Sequence, residues 1–132
     1  MVHKQQIRHQ QLMYVGARVL MALIFLIAGS RKLLAFSATV DYFGHLGLPF
    51  PALITTLSIA MEVGGGLALV FGLYLPILAA MLGMFTLATA MIAHQFWAAD
   101  PAQFSEQLNN FLKNVAMAGG FILLALYARS KE

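Results

Sequence analysis

Four long apolar segments constrain this chain more than any other feature of its sequence. They cover about residues 12–34, 51–74, 76–97 and 109–128. A helix needs roughly 20 predominantly apolar residues to cross a bilayer, so each segment is long enough for one span. Only 10% of the residues are charged, against about 25% in ordinary soluble domains. We therefore predict an all-α membrane protein, a four-transmembrane-helix bundle that forms a single domain over residues 1–132.

The first apolar segment also has the layout of a secretory signal peptide, because basic residues precede the apolar stretch 19–29 and small residues follow it. Arg31 and Lys32 lie directly after that stretch, and three further apolar segments come later. Both observations favour a span that the mature protein keeps.

The positive charges predict an orientation. With an even number of spans, both termini lie on one side, where the basic residues outnumber those on the other side. The basic residues near the termini are Lys4, Arg8, Arg129 and Lys131. The positive-inside rule therefore places both termini in the cytoplasm.

A short helix is predicted between the first two segments. Ser37 is a residue type that caps helix N-termini, Gly47 is typical of a helix end, and Pro49 and Pro51 prevent continuation. We expect an interfacial or re-entrant helix over the outer mouth of the bundle, with His45 on it.

The chain contains no cysteine, which excludes disulfides, thiolate catalysis and iron–sulfur or zinc centres with cysteine ligands from this chain. Any redox reaction needs a bound cofactor or a partner protein. The net charge of +3 is modest and gathered at chain ends and segment edges, a pattern that does not indicate nucleic-acid binding. The partner that the composition implies is the lipid bilayer, and no metal site is predicted.

Polar side chains inside the apolar segments are the candidate site residues. A charged group at the centre of a membrane helix costs about 2.5–3.5 kcal/mol on insertion scales, so it usually faces the protein interior and a partner. The set is Arg18, Lys32, Glu62, His94, Lys113 and Asn114. Helical periodicity places Arg18 and Lys32 on one face of the first segment, with Met21, Phe25 and Gly29, and predicts the faces of three other candidates. Glu62 shares its face with Thr55, Ser58, Gly65 and Gly66, His94 with Gly83, Leu87 and Ala90, and Lys113 with Ala116, Met117 and Gly120.

Position along the segments predicts a polar pocket open to the outer face. Lys32, His94 and Lys113 lie near the outer boundary, and Glu62 lies near the midplane. Arg18 either reaches Glu62 from the inner side or extends to the cytoplasmic headgroups. Each candidate has a structural alternative: the lysines reach headgroups, His94 is an interfacial aromatic residue beside Trp97, Asn114 makes an interhelical hydrogen bond, and Glu62 forms a permanent ion pair.

Five short motifs occur in an order that resembles a known family. They are GSRK at 29–32, LGLP at 46–49, MEVGGG at 61–66, AHQFW at 93–97, and FLKN at 111–114 with AGG at 118–120. In this order they resemble the DoxX family of small bacterial inner-membrane proteins over about residues 14–128. The resemblance implies four transmembrane helices, a multi-pass location in the bacterial inner membrane, and polar positions at the six candidate residues. Because the family is named for an association with a thiosulfate:quinone oxidoreductase, it also implies a redox or quinone-linked role.

Three functions are open from the sequence. The first is a redox-associated subunit of a quinone-linked oxidoreductase system, in which a redox partner protein supplies electrons and quinone is the cofactor. Glu62 and His94 would then be catalytic, and Lys32, Lys113, Asn114 and Arg18 would bind the ligand. The second is a scaffold or assembly subunit without chemistry of its own. The third is a small-anion transporter, which needs a homo-oligomer because four spans are few for alternating access.

Overall fold

The structure is a computed structural model that describes residues 2–131. Its helices are α1 (Val2–Leu34), α2 (Phe36–His45), α3 (Pro51–Ile59), a π-helical turn (Ala60–Gly64), α4 (Gly65–Phe71), α5 (Leu75–Ala93), a short 3-10 helix (Phe96–Ala98) and α6 (Pro101–Arg129). Within this described range there is no strand. The predicted all-helical class is confirmed.

Four helical stretches among residues 2–131 are long and apolar enough to span a membrane. They are Lys4–Leu34, Pro51–Phe71, Leu75–Ala98 and Pro101–Arg129, where the second combines α3, the π-helical turn and α4. Many large apolar side chains on these helices are exposed, for example Leu20 and Phe71. In a bilayer such side chains contact lipid, so their exposure agrees with a membrane-spanning chain.

The predicted short helix is present as α2, but its N-terminal cap is not the expected one. Ala35 is the residue that precedes the helix, and no side chain caps it, so the assignment of Ser37 was wrong. The C-terminal end follows the prediction, since Gly47 has a φ of 75°. The amide of Gly47 donates to the carbonyl of Gly44 and that of Leu48 to Phe43, the pattern of a Schellman motif.

Two compact units make up the chain, Met1–Leu73 and Tyr74–Glu132. In the first unit, α1 packs against the span formed by α3, the π-helical turn and α4, while α2 packs against α3. Its fully buried residues include Ala22, Thr55 and Leu69.

The second unit is a pair of antiparallel helices, α5 and α6. Leu82 and Phe121 are its most buried large apolar side chains. Helix α6 begins at Pro101, well before the apolar segment that predicted it. Proline suits the first turn because it lacks the N–H that a helix start leaves unpaired. Asp100 precedes the helix, but its side chain makes no capping hydrogen bond.

Candidate functional site

An ion pair between Lys32 and Glu62 lies inside the first unit. Lys32 Nζ donates to both carboxylate oxygens, at 2.7 Å to Oε1 and 2.9 Å to Oε2. The Glu62 side chain is 6% exposed and the Lys32 side chain 25%. The carboxylate is therefore enclosed, whereas the ammonium group is partly open to its surroundings.

The direction of side chains on a helix explains why these two residues meet. Gly29 of α1 lies against Glu62, and Lys32 is one turn further along α1. Side chains lean toward the N-terminus of their own helix, so Lys32 leans back over Gly29. In the antiparallel second span, Glu62 leans the opposite way, toward the level of Lys32. Both side chains consequently point at each other.

Glycine allows the two helices to approach closely at this level. A Cβ on Gly29 would lie 2.7 Å from Val63 Cγ2 and 2.9 Å from Glu62 Cβ. One turn away, a Cβ on Gly66 would lie 2.8 Å from Leu26 Cδ2. Ordinary carbon–carbon contacts are about 3.5–4.0 Å, so a side chain at Gly29 would push the helices apart, and one at Gly66 would require Leu26 to move.

The predicted small and polar face of the second span is confirmed. All five of its residues are buried, namely Thr55, Ser58, Glu62, Gly65 and Gly66. The hydroxyl of Thr55 donates to the carbonyl of Pro51 at 2.8 Å, which satisfies it within its own helix. Lys32 is thus the hydrogen-bond partner of the carboxylate on this face.

Glu62 lies in the middle of the π-helical turn Ala60–Gly64. Such turns are rare inside α-helices and occur frequently at functional sites. At Gly64, the last residue of the turn, a Cβ would meet nothing within 4 Å. The sequence did not predict this turn, because over a single turn an α-helix and a π-helix have almost the same hydrophobic pattern.

A pocket of about 290 Å³ is lined by residues from the end of α1 and the start of α2, with Lys32 among them. Its lining residues are Ala28, Arg31, Lys32, Ala35 and Thr39. We call it the α1–α2 pocket. Arg31 and Thr39 were missed in the sequence analysis because the bend at Ala35, with φ −114° and ψ 43°, carries no glycine or proline signal. No acidic residue belongs to this lining.

Arg18 does not pair with Glu62, contrary to one of the two sequence-based alternatives. Its guanidinium lies against the α-carbon of Gly72 and 5.1 Å from the ring centre of Tyr14. Gly72 follows Glu62 by ten positions, about 15 Å along a helix at 1.5 Å per residue. The antiparallel register therefore places Arg18 at the carbonyl end of α4, where a positive charge is favourable.

The second unit contains the remaining candidates. His94 lies just after α5 instead of inside it, and its Nδ1 donates to Gln107 Oε1 of α6 at 3.2 Å. Gln107 was missed because the sequence analysis began the fourth span near residue 109. An aromatic cluster adjoins this contact: Phe96 packs edge-on against Trp97, Phe104 and Phe111.

The expected faces of α5 and α6 need correction. Leu87, expected on the face of His94, is 43% exposed, and Thr86 is buried in its place. Lys113 and Ala116 are exposed, while Asn114 is half-buried beside the packed stripe that contains Ala118. In the part of the chain that the structure describes, neither Lys113 nor Asn114 makes a side-chain hydrogen bond. Their role as ligand-binding residues stays a prediction.

Comparison with known proteins identifies the family. The family model of DoxX matches residues 14–95, a range that contains Arg18, Lys32, Glu62 and His94. The chain belongs to the DoxX family. It is 38% identical over 110 residues to the inner membrane protein YphA of Escherichia coli K12, covering 83% of this chain and 79% of that protein. It is 37% identical over 112 residues to the inner membrane protein YqjF of the same organism, with the same coverage. No solved structure is significantly similar to this chain.

The geometry of this DoxX-family protein leaves one donor of Lys32 for a ligand. An ammonium group has three N–H donors, and two of them serve the oxygens of Glu62. Lys32 is also one of the residues that line the α1–α2 pocket. One residue of the pocket lining is therefore hydrogen-bonded to a buried carboxylate.

Proposed function

We propose that this DoxX-family protein is a redox-associated membrane subunit that binds a quinone, or a similar small acceptor, in the α1–α2 pocket. The observation that carries the proposal is the position of Lys32. Its ammonium group pairs with the enclosed Glu62, and the same residue is part of the lining of an open pocket. Two requirements of quinone binding would meet at this residue, a donor for a ligand carbonyl and a proton-exchanging group behind it.

The pocket fits the head group of such a ligand. Its volume of about 290 Å³ is just below the range of small-molecule pockets, roughly 300–1,000 Å³, so it would take a head group and not a whole drug-sized ligand. Ala28 and Ala35 supply apolar contact, and Arg31 offers a second cationic donor. A bound quinone would supply a two-electron, two-proton acceptor. The electrons would come from a redox partner protein, since this cysteine-free chain has no thiol to supply them.

Each residue has a distinct task in this proposal. Lys32 holds the ligand oxygen and keeps Glu62 charged between ligand-binding events. Glu62 takes up or releases a proton through the ammonium group of Lys32, since these two groups are in direct hydrogen-bond contact. Arg31 orients the ligand from the outer wall of the pocket.

We further propose that the protein lies in the bacterial inner membrane with both termini in the cytoplasm. The support is the name of the relatives YphA and YqjF, both inner membrane proteins, together with the excess of positive charge at the two ends of the chain. The α1–α2 pocket, which follows the first span, then opens toward the periplasmic side.

A scaffold role is the second candidate, because the Lys32–Glu62 pair is already complete without a ligand. Lys32 donates to both oxygens, and a single buried polar contact of this kind can fix the register of two helices. In that case the pair would stabilise the first unit and the α1–α2 pocket would contain ordinary lipid.

Quinone retention separates the two candidates. The protein is purified gently from its native membrane, and quinone per protein is measured in the lipid extract, relative to phospholipid. We expect enrichment in the natural protein and in Lys4→Met, an exposed lysine on the same helix, and loss of enrichment in Lys32→Met. A natural protein without enriched quinone, or a Lys32→Met variant that retains it, would overturn the proposal and favour the scaffold.

A further inference from the structure

Gly29 of α1 makes a close contact with the second span at Glu62 and Val63. A Cβ at this position would lie 2.7 Å from Val63 Cγ2, 2.9 Å from Glu62 Cβ and 3.1 Å from the backbone nitrogen of Val63. Two of these three atoms are a backbone atom and a first side-chain carbon, which cannot move without the helix. A methyl group on Gly29 would therefore displace the π-helical turn from α1.

The displacement would act on the Lys32–Glu62 pair. Gly29 and Lys32 are one turn apart on α1, and Gly29 contacts the same residue to which Lys32 donates. Restoring ordinary carbon–carbon contact with Glu62 Cβ, from 2.9 Å, requires a separation of about 0.6 Å or more. Hydrogen bonds of 2.7 and 2.9 Å weaken steeply over such a distance.

We infer that Gly29 is a positioning residue, which sets the distance between Lys32 and Glu62 and thereby keeps the carboxylate charged. Its importance for ligand binding rests on the proposed function, but its effect on the ion pair does not. At Gly66, the other glycine packed closely between these helices, the closest contacts are with a flexible side chain and not with rigid atoms. Gly66 faces the Cδ2 and Cγ atoms of Leu26, the far end of a flexible side chain that can move aside.

Carbodiimide labelling of Glu62 measures the state of the pair directly. These reagents react with protonated carboxyl groups, and a buried carboxylate that loses its partner takes up a proton. The labelling rate of Glu62 in the full-length protein in lipid nanodiscs, read by peptide mass spectrometry, therefore reports the loss of Lys32 as a partner. Lys32→Met gives the upper limit of labelling, and Glu62→Gln gives the background.

We expect Gly29→Ala to raise the labelling rate by roughly fivefold or more, the change in an equilibrium that a moderate loss of interaction produces. Gly64→Ala is the matched control, because it lies in the π-helical turn and a Cβ there meets nothing within 4 Å. Its labelling should equal that of the natural protein. Gly66→Ala should have a smaller effect, which Leu26→Ala removes.

Two double variants test the cause. Val63→Ala removes only the Cγ2 contact and leaves Glu62 Cβ and the backbone nitrogen of Val63, so Gly29→Ala with Val63→Ala should still label rapidly. Lys32→Arg has a longer side chain that can span the wider gap, and in the Gly29→Ala background it should restore protection. If Gly29→Ala alone accumulates poorly, the Gly29→Ala, Lys32→Arg double variant still tests the inference.

The outcome is separable from that of the proposed function. Rapid labelling in Gly29→Ala supports the inference whether or not the natural protein retains quinone. Labelling of Gly29→Ala at the rate of Gly64→Ala would overturn it. The inference would also be overturned if, in the Gly29→Ala background, Glu62 is labelled as fast with Lys32→Arg as with the natural Lys32.

Discussion

Lys32 Nζ lies 2.7 Å from Oε1 and 2.9 Å from Oε2 of Glu62, so one ammonium group serves both oxygens of an enclosed carboxylate. In a low-dielectric interior such a pair is costly to break from one side, because the remaining charge has no solvent to compensate it. Replacing both partners together is cheaper. The pair therefore makes a specific prediction about single and double variants.

We expect Lys32→Met to lower the free energy of unfolding by about 2–3 kcal/mol, somewhat less than the roughly 3–5 kcal/mol typical of a fully buried pair, because 25% of the Lys32 side chain is exposed. Glu62→Gln should cost about 1–2 kcal/mol, since a neutral amide still accepts a hydrogen bond. The Lys32→Met, Glu62→Gln double variant should be more stable than Lys32→Met alone. Thermal or denaturant unfolding in detergent, followed by circular dichroism, measures all three.

Lys4→Met provides the control for this series, because Lys4 is exposed at the start of α1. It should change stability by less than about 0.5 kcal/mol. If the losses in stability of the two single variants simply add in the double variant, Lys32 and Glu62 do not interact and the ion pair is contradicted.

Gly72 tests the position of Arg18. Its φ of 74° is unfavourable for any residue with a Cβ, and the guanidinium of Arg18 occupies the place where that Cβ would be. Gly47 has nearly the same φ of 75° but nothing within 4 Å. Gly47→Ala should therefore cost about 1–2 kcal/mol from backbone strain alone, and Gly72→Ala should cost more.

In an Arg18→Ala background, the loss in free energy of unfolding caused by Gly72→Ala should fall to the loss that Gly47→Ala causes in the natural protein. Unfolding in detergent gives all four values. Equal costs for Gly47→Ala and Gly72→Ala in the natural background would show that Arg18 extends elsewhere, for instance to the cytoplasmic headgroups.

The hydrogen bond between His94 and Gln107 predicts that substitutions of these two residues have non-additive effects on stability. The hydrogen bond of 3.2 Å joins the end of α5 to α6, so His94→Ala and Gln107→Ala should each cost about 1 kcal/mol. The double variant should cost little more than either one. Gln103→Ala, an exposed glutamine on the same helix, should be close to neutral and should not couple to His94→Ala.

The proposed orientation is tested by fusions at the C-terminus. A green fluorescent protein fused after the last residue should fluoresce, and an alkaline phosphatase fusion should be inactive, because the positive charge near both termini favours the cytoplasmic side. A fusion placed in the loop after α2, near Pro49, should give the reverse. Active phosphatase at the C-terminus would require the opposite orientation.

Much of the fold follows from the sequence because spans depend on length and apolarity, which composition reveals directly. The buried face of Glu62 was predicted for a similar reason, since one face of that helix gathers its small and polar residues. The partner of Glu62 was harder to predict. Arg18 and Lys32 lie on the same face of α1, and only the register between the helices decides which cation reaches the carboxylate.

Register depends on atomic contacts that a pattern of residue types does not contain. The approach of Gly29 to Glu62 fixes it here, and the π-helical turn at Ala60–Gly64 adjusts it further. The bend at Ala35, which creates the α1–α2 pocket, lacks a glycine or proline and was also missed. The faces of Leu87 and Lys113 were misplaced because α5 and residues 115–128 of α6 are apolar almost all round, so periodicity gives only a weak signal there.

The most direct test of the account is photoaffinity labelling with an azido-quinone in native membranes, followed by peptide mapping. We predict that label is concentrated on the segment of residues 28–39 that carries Lys32 and the α1–α2 pocket. Excess unlabelled quinone and Lys32→Met should both abolish this labelling, and Lys4→Met should leave it unchanged. Label spread over the lipid-exposed faces of the helices, with no response to Lys32→Met, would contradict the account.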